Sequence, residues 1–237
     1  MAEGRLKDRI ALITGASRGI GAAVAKRFAE EGAHLVLVAR TTAGLEELDD
    51  EIQKISGQPA TLVPMDLTDY DEIDRMGAAL HERFGHLDIL VGNAGVLGSL
   101  TPLGHIDPKT WDQVMAINLT ANWRLVRSLD PLLQRSDAGR AIFVTSTVGA
   151  EARAYWAGYA ISKAALEMMT RIYAAENEKS RVCANLINPG GTRTGMRAQA
   201  MPGEDPLSVK PPEAVTDAFV DLAEPACALN GEIVTCR

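Results

Sequence analysis

No stretch of this 237-residue sequence approaches the roughly 18 consecutive apolar residues of a membrane-spanning helix. No membrane-spanning helix is therefore expected. The opening "MAEGRLKDR" is not followed by an uninterrupted apolar run, so a secretory signal peptide is not expected. Cysteine is scarce: Cys183, Cys227 and Cys236 are the only three, at least one cannot pair, and none has metal-site spacing. Reduced thiols in a cytoplasm are the simplest reading. His34, His81, His86 and His105 are scattered, so no metal site is expected. A basic surplus is also missing: 24 Lys and Arg face 31 Asp and Glu, a formal net charge of −7. This argues against an electrostatic nucleic-acid surface. Linkers, repeats and low-complexity tracts are absent too, and the length suits one domain spanning 1–237.

What is present is alternation. Candidate strands lie at 10–14, 34–39, 60–65, 88–92, 140–145, 181–187 and 231–235, separated by helical stretches near 19–31, 43–56, 69–84, 108–134 and 155–179. Such alternation predicts an α/β fold, a doubly wound, seven-stranded parallel sheet with helices on both faces and ligands at the carboxyl ends of the strands. Thr14, Arg40, Asp66, Asn93, Ser146 and Pro189 each fall at or just beyond a predicted strand end. Between 190 and 212 the pattern gives way to "GTRTGMRAQAMPGEDPLSVKPP", rich in Met, Pro and Gly. A connection of that length is expected to be a substrate lid or disordered.

Two clusters carry chemistry. In "TGASRGIG", Gly15, Gly19 and Gly21 punctuate the turn between the first strand and the first helix, where backbone N–H groups and the helix dipole suit a pyrophosphate. In "YAISK", Tyr159 and Lys163 stand at i and i+4, hence on one helical face. A lysine ammonium there favours phenolate and lowers a tyrosine pKa from about 10. Such a tyrosine can exchange a proton with an alcohol or carbonyl oxygen. Each cluster alone has an ordinary alternative, a plain glycine turn and a solvated helix face.

Together with "DL" at Asp66 and Leu67, "GNAG" at Gly92 to Gly95, Asn118 in "MAINLT", Ser146 in "VTSTVG" and "NPGGTRT" from Asn188, these motifs resemble the short-chain dehydrogenase/reductase family along essentially the whole chain. The wording from "TSTVG" to "NPGGTRTGMRA" is similar to a bacterial subgroup of reductases without an assigned substrate. The resemblance implies an oxidoreductase with Asn118, Ser146, Tyr159 and Lys163 as the catalytic set. In it Ser146 binds the substrate oxygen, Lys163 also holds the cofactor ribose, and the Asn118 carbonyl serves a proton relay. It assigns the cofactor to Gly15, Ser17, Arg18, Gly19, Ile20, Gly21, Asn93, Ala94, Gly95, Pro189 and Gly190, with Asp66 and Leu67 at the adenine and Thr192 and Thr194 at the carboxamide. From the residues alone, the alternative for Ser146 is a strand terminator, although its offset from Tyr159 favours the oxygen-binding role; that for Asn118 is a solvent-facing helix amide, and Asp66 is equally a helix N-cap. One departure stands out: Gly92 replaces the asparagine that ordinarily steadies the central strand.

The second strand ends "VLVAR" without the acid that would bind the 2′-hydroxyl of NAD. Arg40 stands there, and Arg18 precedes Gly19. Two cations and no acid point to the 2′-phosphate of NADP(H), the alternative being two solvated arginines. The partner implied is a small carbonyl or alcohol, with Tyr155 and Trp156 either lining its pocket or packing elsewhere. Two alternatives are open: a 3-oxoacyl-thioester reductase whose Arg124, Arg127 or Arg171 meets an acidic carrier, and a non-catalytic NADP(H)-binding protein. The resemblance further implies a homodimer or homotetramer built on the helices near 108–134 and 155–179.

Overall fold

A computed structural model describes residues 4–236. Seven strands, β1 (Ile10–Thr14), β2 (His34–Ala39), β3 (Thr61–Pro64), β4 (Ile89–Gly92), β5 (Arg140–Val144), β6 (Cys183–Asn188) and β7 (Ile233–Thr235), form one sheet in the order β3-β2-β1-β4-β5-β6-β7. Every pairing is parallel. The helices are α1 (Gly19–Glu30), α2 (Thr42–Ser56), α3 (Tyr70–Phe84), α4 (Pro108–Met115), α5 (Ala121–Leu133), α6 (Ala157–Glu176), α7 (Gly195–Ala200) and α8 (Thr216–Ala223).

The doubly wound sandwich follows from the strand residues. Leu12, Val36 and Leu90 belong to a core shared with α3, α5 and α6, while their neighbours Ile13, Leu37 and Val91 belong to another shared with α1, α2 and α8. Successive side chains of a strand point to opposite faces, so a sheet covered on both sides reads as an unbroken apolar run. The chain builds outward from β1 to β3, returns to β4 beside β1, then builds the other way. That reversal opens a crevice at the carboxyl ends of β1 and β4.

The expected helix over 108–134 is three pieces, because a π-helical turn at Ala116–Thr120 inserts between α4 and α5. The expected helix at 155–179 begins later, since Tyr155 holds a left-handed backbone with φ of 73°. Gly231, at φ of 81°, trims β7, and β3 stops at Pro64, which can donate no ladder hydrogen bond. Segment 190–212 is neither featureless nor long and open. It contains α7 and a 3₁₀ turn at Pro206–Ser208, and a bridge between Thr192 and Lys210 closes its base. Helix α8 was not anticipated.

Candidate active site

The glycine loop after β1 is held from behind by β4. Thr14 Oγ1 accepts from the N–H groups of Asn93 and Ala94, each at 3.1 Å, and donates to Val91 O at 3.2 Å. Asn93 Nδ2 donates to Thr14 O at 2.9 Å and Gly15 O at 3.3 Å. Asn93 thus spends its amide on shaping the loop. Gly15 has φ of 64°, and a Cβ there would lie 2.9 Å from Ala94 Cα. At Gly21 a Cβ would meet Gly15 O at 2.3 Å, so only glycine lets the loop fold down on α1. Arg18 at the N-cap of α1 provides no side-chain cap, and the first turn contains no acid. A glycine cradle against an uncapped, acid-free helix start fits a pyrophosphate.

At the tip of β2, Arg40 is mostly exposed and lies 4.0 Å from Asp66. Asp66 accepts from both the N–H and the hydroxyl of Thr68 at 2.9 Å, which with Arg40 holds its pKa below the usual carboxylate value. The N-cap of α3 is instead Asp69, which accepts from Glu72 N at 3.1 Å. Asp66 therefore caps a turn rather than the helix, and it stands at the cleft wall beside Leu67.

At the opposite end, α6 presents Tyr159 and Lys163. Tyr159 is 8% exposed, its ring 5.6 Å from Lys163 Nζ, and its phenol hydrogen-bonds Ser146. Lys163 is wholly buried and donates to Val144 O at 2.7 Å. Burial pushes Lys163 down to about 8. Burial also pushes Tyr159 up to about 12, with the Ser146 hydrogen bond opposing it. The expected lowering of the phenol by its lysine is thus outweighed. Desolvation acts on the whole phenolate, whereas the ammonium donates to the Val144 carbonyl.

Beneath this end lies a buried polar frame. Asn118, in the π-helical turn, accepts from Val96 N at 2.8 Å and donates to Val96 O at 2.9 Å and to Ser162 Oγ at 3.0 Å. Its amide does not reach solvent. Ser162 in turn donates to Tyr159 O at 2.7 Å. Asn122 Nδ2 donates to the Asn118 carbonyl at 2.9 Å, and a Cβ on Gly92 would fall 2.4 Å from Asn122 Oδ1. The strand residue lost at Gly92 is the space that Asn122 fills. Thr145 donates to buried Glu167 at 2.6 Å, bracing the strand end that carries Ser146.

These two ends belong to one cleft of about 1000 Å³. Gly15, Ser17, Arg18, Gly19, Ile20, Arg40, Asp66, Leu67, Asn93, Ala94, Gly95, Ser146, Tyr159, Lys163, Pro189, Gly190, Thr192 and Thr194 all line it. Gly21 and Asn118 sit behind the wall. Trp156 lines the cleft; Tyr155, 60% exposed, does not. The sequence reading missed Arg153 in the lining and Ser162, Asn122 and Glu167 in the frame. Ser162 stood inside "YAISK", one residue before Lys163, and was the most readable of them. Among the described residues there is no group of three metal-ligating side chains, and no helix is long and apolar enough to cross a membrane.

Comparison with known proteins gives a consistent picture. The family model for short chain dehydrogenases matches residues 9–205. The uncharacterized oxidoreductase YciK of Escherichia coli K12 is 38% identical over 217 residues, covering 91% of this chain and 86% of its own. A solved Pseudomonas syringae protein described as a short chain dehydrogenase superposes with a TM-score of 0.96 at 39% identity, covering 99% of this chain and 97% of the other. Another, from Escherichia coli CFT073 and complexed with NADPH, has a TM-score of 0.96 at 35% identity over 100% of both chains. The chain belongs to the short-chain dehydrogenase/reductase family and is an oxidoreductase of that family.

Proposed function

We propose that this short-chain dehydrogenase/reductase uses NADP(H) to interconvert a carbonyl compound and an alcohol, with Tyr159 as the proton-transferring group. The observation that carries the reading is the meeting of Tyr159, Ser146 and Lys163 at one end of a cleft whose far end offers Arg18 and Arg40. The NADPH complex of the Escherichia coli CFT073 neighbour supports the cofactor. Bound, the nicotinamide supplies or takes up the hydride. Gly15, Ser17, Gly19, Ile20, Ala94, Gly95, Pro189 and Gly190 would shape its trough, with Asp66 and Leu67 holding the adenine and Thr192 and Thr194 the carboxamide. Arg40 and Arg18 bind the 2′-phosphate by charge-assisted hydrogen bonds.

The chain's own residues handle the proton. Ser146 and Tyr159 present two hydroxyls to the substrate oxygen. A phenol at about 12 stays protonated near neutral pH, so Tyr159 is ready as the acid for carbonyl reduction. Lys163 has donors to spare beyond Val144 O and holds the ribose. Asn122 fixes the Asn118 carbonyl at the relay position. Carrier recognition by arginines has less support: Arg124 and Arg127 face Asp74 at 4.0 and 3.9 Å, away from the cleft. Exposed Trp123 on α5 with Met168 and Ile172 on α6 supports a homodimer or homotetramer of a single-domain enzyme.

NADPH oxidation across aldehydes, ketones, quinones and acyl thioesters tests the proposal. Turnover of at least one class by wild type, lost in Tyr159→Phe, is expected. Stoichiometric NADPH binding with no turnover of any class would make the chain a binding protein.

A further inference from the structure

The Tyr159 end of the cleft has a chemical character of its own. Leu97, Val148, Trp156, Met196 and Ala200 form one apolar cluster with Tyr159 and line the cleft beside it. The wall is contributed by three separate segments, and it is pinned. Tyr155, held at φ of 73°, accepts from Thr101 N at 3.0 Å, which ties the loop before α6 to the loop after β4. A left-handed backbone at a bulky residue persists only where surrounding structure holds it, and such strain gathers at binding sites. Here it sets Trp156 edge-on to Tyr159, ring centroids 6.2 Å apart.

Over the Trp156 ring stands the exposed Arg153, its guanidinium carbon 5.1 Å from the indole centroid. The cation–π contact restrains the guanidinium, whose N–H groups have no hydrogen-bond partner among the described residues. Arg153 forms no ion pair among the described residues, in contrast to Arg197 nearby, which is held bidentate by Glu204. Among the described residues that line the cleft, the only acid is Asp66, at the far, β3 end. The substrate end therefore joins an apolar wall to a positioned cation with no counter-charge.

We propose that the substrate is an apolar carbonyl compound bearing a carboxylate, its hydrocarbon part against Trp156, Leu97 and Met196 and its carboxylate read by Arg153. This rests on the reading of the Tyr159 end as the substrate end. Arg153 is the specificity-determining residue: a planar fork suits a carboxylate, and a neutral analogue leaves the fork without its partner.

The test is a binding measurement, which needs no turnover. Decanoate and decanamide are titrated calorimetrically into wild type, Arg153→Ala and Arg153→Lys in saturating NADP⁺. Wild type should bind decanoate about tenfold more tightly than decanamide, the lower end expected of a charge-assisted hydrogen bond. The preference should vanish in Arg153→Ala, survive in part in Arg153→Lys, and shrink as salt is raised. Because the amide is measured on each variant, a damaged fold lowers both ligands and is recognised. Equal affinities in wild type, no binding of either ligand, or a preference that persists in Arg153→Ala would overturn the proposal. NADPH oxidation with decanal and 10-oxodecanoate is scored separately. Turnover of decanal without preference for the acid defeats the substrate class alone, and turnover of no carbonyl compound defeats the oxidoreductase reading.

Discussion

Lys163→Met should stabilise the protein measured without added nucleotide. Met keeps the length of the side chain and removes the charge. In the fold Lys163 is 3% exposed, forms no ion pair among the described residues, and donates one hydrogen bond there, to Val144 O at 2.7 Å. Its pKa falls from 10.5 to about 8. At about 1.4 kcal/mol per pKa unit, keeping the charge inside costs on the order of 3 kcal/mol below pH 8. The sign follows from proton counting. Between about 8 and 10.5 the unfolded chain binds the proton and the folded chain does not, so wild-type stability from this group rises with pH through that window and is lost as pH falls through 8. The variant escapes the cost but leaves the Val144 carbonyl without its donor, about 1 kcal/mol in the other direction. A net gain of about 2 kcal/mol at pH 7 corresponds to roughly 4–8 °C in Tm for a chain of this size. Denaturant unfolding of both proteins at pH 7 and pH 10 measures it: the gap should close at the higher pH, where the buried lysine is neutral. A variant no more stable at pH 7, or a gap that does not move with pH, would show that Lys163 is not a desolvated cation. Turnover should be lost with the charge, so the gain in stability comes with a loss of function.

Tyr159→Phe should reduce turnover by about 10²–10⁴-fold, the usual contribution of a positioned proton donor, with the Kd for NADPH nearly intact. Arg40→Ala should weaken NADPH about 10- to 150-fold and NADH hardly at all, because only the former carries the phosphate. Equal losses for the two in paired titrations would make Arg40 a solvated surface residue. Gly92→Ala places a methyl 2.4 Å from both Asn122 Oδ1 and Phe143 Cδ1 and should destabilise by about 1–3 kcal/mol, read as a lower urea midpoint at unchanged m. Hydrogen exchange across 190–212 should slow when NADPH and a substrate analogue are both present, and identical exchange in free and ternary states would leave a rigid loop rather than a lid.

The sheet was legible because its strands are buried on both faces: "IALIT" and "HLVLVA" have no polar alternation to confuse with an amphipathic helix. Helix α8 was not, since eight residues between Pro212 and Pro225 give only two turns of periodicity. The π-helical turn left no trace in the apolar periodicity either, because one extra residue in "VMAINLTANW" shifts the apolar phase less than a loop would; the family resemblance alone implies a kink at Asn118. Asn122 reads in sequence as a polar residue on a solvated helix, yet it is 3% exposed. Its only advance signal was the missing side chain at Gly92, on a strand thirty residues away. The spacing of Tyr159 and Lys163 gave the right neighbours and the wrong direction of the phenol shift. Spacing reports which charge is near, whereas desolvation depends on everything packed around the ring.

Hydrogen-bond capacity separates the frame from the reacting groups. The Asn118 side chain makes three hydrogen bonds, Ser162 both donates and accepts, and Glu167 is engaged by Thr145. These buried polar groups are spent on one another and on the backbone, which is what lets them sit in the interior without a large penalty. Among the described residues Lys163 keeps two of its three donors unspent, and the Tyr159 phenol and Ser146 hydroxyl have no partner but each other. The unspent capacity all faces the cleft. A frame so satisfied cannot rearrange to meet the remaining donors, so a ligand oxygen must do it, and the site is organised for that oxygen before it arrives.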